Sequence, residues 1–354
     1  MKKENSVSKN KCSLRDIAEK LGISKGAVSL ALNDSNKISK QTKIKVKQTA
    51  SKLGYKTIPV VSRVMSSIKN KSQSGFLETI VLINANLAKN AAEKYQVFAK
   101  YINGINEVAQ ELGYVVYQIW LHDKTLTPEK LRNILISRGI RGGIVIGHMD
   151  DNILPDIFSD IWNNFKFVSA GLRTLNPVLD FISADKFLIA RYATSKVISL
   201  GYRRPALIID KHIDDLVEGR FIGGFLRAQL ELFPEERIEP FTKTSEAKKD
   251  RQVIVDWLDE NRPDAVFTLS KTTTDWIETD SAVKKEILKH ARLVKFEPKA
   301  NEDDWIAIDK NYELIGRLAV RKLFEVLNTP TRLKDINVPT ATIVQPRWNR
   351  SILK

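Results

Sequence analysis

The chain has 354 residues, enough for two or three domains, with 43% hydrophobic and 28% charged side chains, the proportions of an ordinary globular protein. Its one cysteine, Cys12, excludes an intramolecular disulfide and a cysteine-rich zinc site. Its four histidines show no metal-ligand spacing, and no apolar run approaches the roughly 18 residues of a membrane span. The net charge of +15 is concentrated at one end: residues 1–75 hold 17 Lys and Arg against 4 Asp and Glu, leaving 40 against 38 for the remainder. A basic segment on a near-neutral body is the composition of a polyanion-binding module. The first 40 residues contain no Trp, Phe or Tyr to seat in a lipid surface, so nucleic acid is the favoured polyanion. No apolar run follows the first lysines, so no signal peptide is expected and the compartment reads as cytoplasmic.

In chain order, Ser13 and Asp16 have capping-box spacing and predict a helix start, with Leu14, Ile17, Ala18 and Leu21 on one face. Gly22 supplies the left-handed stop. Ser24 then caps a second helix that carries Ala27, Val28, Ala31 and Leu32 inward, and a third runs from Ser39 to about Leu53 with Val46, Ala50 and Leu53 at core spacing. Lys43, Lys45, Lys47 and Lys52 decorate the rest of that third helix. The first two are joined too closely for anything but a helix-turn-helix, a motif that sets its second helix in the major groove of DNA. The N-terminal residues of that helix are Lys25, Gly26, Ser29 and Leu30. Lys25 can donate to guanine O6 and N7, and Leu30 can contact a thymine methyl. Gly26 costs the helix roughly 1 kcal/mol relative to alanine and permits close backbone approach.

The stretches SLRDIAEKLGISKGAVSLALN and ISKQTKIKVKQTASKLGY resemble the headpiece of the lactose-repressor/galactose-repressor family of bacterial transcription regulators. Asp16-Ile17-Ala18, Gly22-Ile23-Ser24, Val28-Ser29, Leu32-Asn33, Ile38-Ser39, Thr42 and Leu53-Gly54-Tyr55 occupy the family's motif positions in order. The resemblance adds Ser24, Asn33 and Thr42 to the expected DNA-binding set. Ala27 replaces the family's usual threonine, and Leu30 stands where many members carry arginine, which bears on the operator sequence rather than the fold. In KTIPVVSRVMSSIKN, Pro59 suits a first helical position, and Val61, Val64, Met65 and Ile68 form an apolar stripe too small to fold alone. The resemblance implies a hinge helix here, ordered when two subunits pair on DNA. SRVM looks like the family's Ala-Arg-x-Leu, one residue further from Tyr55 than usual, which makes Met65 the candidate minor-groove wedge. KNKSQSG reads as a flexible spacer.

From Glu78, short apolar runs alternate with helical patterns. TIVLIN precedes a helix over Tyr95–Leu112 and YVVYQIW one over Pro128–Ser137, followed by GGIVIG, FKFVSA, PALIID, AVFTLS and RLVKF. Alternation of this kind predicts parallel sheets covered by helices, and the number of units predicts two doubly wound subdomains. GINEVAQELGY, SLGYRRPALI, IGRLAVRKLF and IVQPRWNRS resemble the family's periplasmic-binding-protein-like core. The expected organisation is a headpiece over 12–58, a hinge and linker over 59–75, and a core over 76–354. The resemblance implies three crossings between the core's halves: an N-subdomain of about 76–181 plus 308–337, and a C-subdomain of about 182–307 plus 338–354. The final helix, around Asn311–Asn328, is expected on the first.

Ligands of open α/β sheets bind beyond the carboxyl ends of strands, where Asn84 follows the first strand and His148 the third. By resemblance, Asp185 in ISADKF and Arg220 in RFIGGF face an effector, Arg220 pairing with ligand hydroxyls. Ser270 stands where Asn or Asp is usual, and Glu297 in KFEP replaces the family's aspartate. Trp276, after a strand end, is the candidate to stack on a sugar face. Each also has an ordinary reading as a helix cap, a surface loop residue or a packing residue.

No phosphate loop, GxGxxG or GxSxG motif occurs, so neither an enzyme nor a cofactor is expected. A sequence-independent architectural DNA-binding protein accounts for the basic end but not for the body. An enzyme fused to a DNA-binding module lacks a catalytic constellation. The reading that uses both halves is a transcriptional regulator, by family default a repressor, bound as a dimer to a near-palindromic operator of double-stranded DNA. A small molecule, a carbohydrate by resemblance, controls it from the core cleft, with induction and corepression both open. Three residues follow Ser351, too few for a tetramerising helix, so a homodimer is expected.

Overall fold

The computed structural model of the chain describes residues 13–32, 38–53, 78–148, 151–232, 237–243, 247–294, 308–328 and 339–348. The expected hinge and linker over 59–75, with Met65, and also Asn33 and Glu297, lie outside these residues. The chain divides into two units, 1–75 and 76–354.

The first unit holds α1 (Leu14–Leu21), α2 (Lys25–Leu32) and α3 (Lys40–Lys52). Ser13 and Asp16 close a reciprocal capping box, and Gly22 ends α1 at φ 65° with its N–H turned back to the Ala18 and Glu19 carbonyls. Ser24 Oγ accepts the Ala27 N–H at 3.1 Å to start α2, and Ser39 Oγ accepts the Thr42 N–H at 3.2 Å to start α3. Ile17, Ala18, Val28, Ala31, Val46 and Ala50 form a closed apolar cluster, with Leu14, Leu21, Leu32 and Leu53 half-buried around it. Ala27 sits at the rim of this cluster, half-buried.

In the second unit, β1 (Glu78–Asn84), α4 (Ala91–Lys94), α5 (Gln96–Glu111), β2 (Tyr114–Trp120), α6 (Pro128–Ser137), β3 (Gly142–Ile146), α7 (Ser159–Asn164), β4 (Lys166–Ala170) and β5 (Asp180–Ala184) build a first sheet. Next come α8 (Lys186–Ser199), β6 (Pro205–Asp210), α9 (Lys211–Leu216), α10 (Arg220–Leu232) and β7 (Phe241–Lys243). They are followed by α11 (Ala247–Asn261), β8 (Ala265–Phe267), α12 (Lys271–Thr279), α13 (Ser281–His290) and β9 (Arg292–Val294), completing a second sheet. The chain then returns through β10 (Ile308–Asp309), α14 (Tyr312–Asn328), β11 (Ala341–Val344) and β12 (Arg347–Trp348).

The first sheet has the order β11-β5-β4-β3-β1-β2 and the second β7-β6-β8-β9, with every pair parallel. Both are doubly wound, because successive strands of β1 bury alternate residues on opposite faces. Ile80 and Leu82 join the cluster under α5 and α14, while Val81 and Ile83 join the cluster under α6 and α7. In the second sheet Leu207, Ile209 and Phe267 face α8 and α10, while Ile208 and Val266 face α11, α12 and α13. α14 crosses α5 backbone to backbone: a Cβ on Gly104 would lie 2.0 Å from the Glu313 carbonyl oxygen, and one on Gly316 would lie 2.2 Å from that of Tyr101. The last helix thus belongs to the first half.

Two expected limits are corrected. The division at 181/182 falls inside β5, which runs to Ala184 within the first sheet. β11, expected with the second half, pairs in parallel with β5 from Ala341↔Phe181 to Val344↔Ala184. Only Val344 of its four residues is buried, so this edge strand carries no apolar pattern by which sequence could allocate it to a sheet. The chain after it pairs β12 antiparallel with β10, Ile308 opposite Trp348.

Candidate nucleic-acid interface and ligand cleft

α2 is short and buries Val28 and Ala31, so its opposite face is free to present side chains. Lys25, Gly26 and Leu30 are exposed and Ser29 half-exposed on it, which is where a groove-reading helix must carry its polar and small residues. A Cβ at Gly26 would meet only Ser24 Oγ at 3.7 Å, so no packing requirement accounts for the glycine. Ser24 and Thr42 are N-terminal residues of their helices: Ser24 Oγ is a cap, and Thr42 Oγ1 lies 2.8 Å from Ser39 Oγ. Helix N-termini of this kind orient backbone N–H groups toward phosphates. Lys40, Lys45, Lys47 and Lys52 are exposed on α3.

In the second unit the strand order reverses between β1 and β3 and between β6 and β8, which opens a crevice at the carboxyl ends of each pair. Asn84 ends β1, but its amide is committed locally: Nδ2 donates to the Ala88 and Lys89 carbonyls, and Oδ1 accepts the Asn86 N–H at 3.0 Å. His148 follows β3 and is 4% exposed, with Nε2 3.2 Å from the Leu172 carbonyl and from Ser169 Oγ, and Nδ1 buried with no partner among the described residues. Burial pulls its pKa down to about 4, so the ring is neutral near pH 7. Ser270 caps α12 by accepting the Thr273 N–H at 3.2 Å, and Asp185 caps α8 by accepting the Leu188 N–H at 2.9 Å. Trp276 packs into the outer cluster of the second sheet with Lys243 Nζ 5.4 Å from its ring centre, and its indole N–H is buried without a partner among the described residues. The cap and packing readings therefore hold for several of these side chains.

Arg220, at the start of α10, donates to Glu218 at 2.8 Å, and Glu218 also accepts from Arg173 at 3.0 Å. Arg173 follows β4 and Arg220 belongs to the second half, so this chain of charges spans the two halves of the unit. A second link, the buried Asn152, donates from Nδ2 to the Leu216 carbonyl at 2.8 Å. Next to Arg220 the sequence reading missed two residues. Lys186 is the first residue of α8, only 8% exposed, and its ammonium has no hydrogen-bond or ion-pair partner among the described residues. Burial pulls its pKa down to about 7, the charges of Lys310 and Arg220 add to that, and Asp185 opposes it. Lys310, 6% exposed, donates to the Leu269 carbonyl at 3.0 Å, at the carboxyl end of β8. In sequence both lysines look like solvated charges beside an acid. The only signal was position: each directly follows an aspartate at the end of a strand.

Comparison with known proteins places these two sites together. The model of bacterial regulatory proteins of the lacI family matches residues 13–57, and that of periplasmic binding proteins and the sugar binding domain of the LacI family matches residues 78–339. The chain is similar to the HTH-type transcriptional regulator CelR of Thermobifida fusca, 23% identical over 207 residues, 58% of this chain. That match spans 57% of the relative's own length. Among solved structures it is similar to a transcriptional regulator CelR–cellobiose complex, with a TM-score of 0.55 at 19% identity over 96% of this chain and 98% of that one. It is also similar to the lac repressor dimer bound to operator and an anti-inducer, with a TM-score of 0.50 at 15% identity over 96% and 98%.

Proposed function

The chain belongs to the lacI family of bacterial regulatory proteins, DNA-binding transcription regulators rather than enzymes, and from that premise we propose that it is a cytoplasmic repressor acting as a homodimer on a near-palindromic operator. A carbohydrate bound between the two sheets controls it. The observation that carries this reading is the union in one chain of an exposed α2 face bearing Lys25, Gly26, Ser29 and Leu30 with a two-sheet core whose halves meet at bridged carboxyl ends.

In this proposal Lys25, Ser29 and Leu30 read base edges, Ser24, Asn33 and Thr42 hold phosphates, and Met65 enters the minor groove at the operator's centre. Two headpieces related by a two-fold axis meet a two-fold site. In the core, Arg220 and Asp185 face the effector, with Asn84, His148, Ser270, Trp276 and Glu297 around it. A ligand with tenfold preference for one arrangement of the halves shifts the equilibrium by about 1.4 kcal/mol per site. The CelR–cellobiose complex and the family model's sugar-binding description support a sugar as that ligand, and the lac repressor dimer on its operator supports the stoichiometry.

The test is selection of binding sites from randomised duplex DNA with the full chain, followed by a salt titration on the selected site. A palindromic consensus is expected, with log affinity falling by about 0.9 per log salt for each phosphate contact. Sequence-independent binding with the same salt dependence would replace this reading with an architectural role.

A further inference from the structure

The cleft between the halves has an unusual charge balance. Lys186 stands at the N-terminus of α8, a 14-residue helix, buried and without a partner for its ammonium among the described residues. Two cations from other elements act on it, Lys310 beside the end of β8 and Arg220 at the start of α10. Arg173 is joined to Arg220 through Glu218. Against Arg173, Lys186, Arg220 and Lys310 stand the two acids Asp185 and Glu218, which leaves an excess of two positive charges at one locus. One carboxylate of that pair, Asp185, is further occupied as the α8 cap.

A neutral sugar leaves this excess uncompensated. Desolvating an unpaired ammonium is costly, and protein interiors bury charges only where something pairs with them. The usual escape, release of the proton, is half-taken here, because the Lys186 pKa sits near neutral. A phosphate monoester carries about −1.5 to −2 charge at pH 7 and three strong acceptor oxygens, which matches both the excess and the number of unspent donors. The free N–H groups of the α8 N-terminus add to the same attraction.

From this arrangement we propose that the effector of the core cleft is a phosphorylated sugar, its phosphate held by Lys186 with Lys310 and Arg220. The proposal rests on the cleft being the effector site. It differs from that reading in requiring an anion where any carbohydrate would satisfy the reading alone.

The experiment uses the full chain and inorganic phosphate, by thermal unfolding and calorimetric titration at pH 7 with chloride supplying matched ionic strength. Phosphate is expected to raise the unfolding temperature and to bind with a stoichiometry of one per chain. Lys186→Gln and, independently, Lys310→Gln are expected to weaken it about tenfold or more, the range for loss of one charge-assisted hydrogen bond. Lys289→Gln, an exposed lysine on α13, is expected to change nothing. A second arm titrates hexoses and disaccharides, each free and as its monophosphate, and the phosphorylated form is expected to bind about tenfold or more tightly. Absence of a phosphate effect beyond that of chloride, or an equal effect in both cleft variants and wild type, overturns the proposal. Tight binding of a free sugar, undiminished in Lys186→Gln, overturns it while leaving the carbohydrate reading intact. Phosphate binding lost in both variants with no sugar bound in either form supports the anion site and sinks the carbohydrate reading.

Discussion

Gly26 lies near the start of a helix, where a glycine destabilises by roughly 1 kcal/mol relative to alanine, and the space around it is open to a methyl group. Gly26→Ala is therefore expected to raise headpiece stability by about 0.5–1 kcal/mol. If the backbone there approaches DNA, operator affinity falls about tenfold at the same time. Anisotropy titration beside thermal unfolding separates the two effects, and unchanged affinity would remove close backbone approach from the account. At Lys186 the sign follows from burial. Its folded pKa lies near 7 and its unfolded pKa near the ordinary 10.5, so between those values the unfolded chain binds more protons and stability rises with pH. Below about pH 7 both states are protonated and the full cost of burying the ammonium is present. Lys186→Met, in phosphate-free buffer, is then expected to be more stable than wild type at pH 7 by about 2 kcal/mol. That gap narrows toward pH 10, and denaturant titrations at pH 7, 8.5 and 10 check the slope.

At the scale of elements, the crossing of α5 and α14 is what returns the last helix to the first sheet. It depends on two glycines 212 residues apart in the chain, Gly104 and Gly316, each of which lets the other helix's carbonyl approach to where a Cβ would stand. Gly316→Ala inserts that Cβ against backbone, which cannot rotate aside as a side chain can, so a loss of about 2–3 kcal/mol is expected in chemical denaturation. A neutral effect would mean that the helices separate without cost. The three headpiece helices are built differently, from caps and small residues whose spacing is local. For that reason their limits follow the sequence reading to within a residue at each end.

Over the whole molecule, the apolar clusters of the second unit contain no residue before Ile80, and the headpiece cluster none after Leu53. The piece 76–354 is accordingly expected to fold alone, with an unfolding temperature within about 4 °C of the full chain's corresponding transition, a change of under about 1 kcal/mol. It is expected to keep effector binding and lose operator binding, as calorimetry and anisotropy would report. Failure of the piece to fold would show that the first unit contributes to the core. Within the second unit, Asn152–Leu216 and Arg173–Glu218–Arg220 tie the two halves together, so ligand entry between the halves acts on named bonds rather than on a diffuse surface.

The sequence by itself determined the helix-turn-helix, the alternation of strands and helices, and the placement of charge at one end. Each is written in short-range terms: a capping box at Ser13 and Asp16, a left-handed Gly22, apolar runs such as Thr79–Asn84, and a count of lysines. The tertiary structure decided which sheet receives an edge strand with one buried residue, as β11 shows. It also decided which polar side chains are consumed as caps, as Asp185 and Ser270 are, and which charges converge from distant segments. Lys186 and Lys310 stand 124 residues apart, and each alone looks like a solvated lysine. Burial and mutual charge are properties of the packed chain, because they depend on what surrounds a side chain in space rather than on what precedes it in sequence.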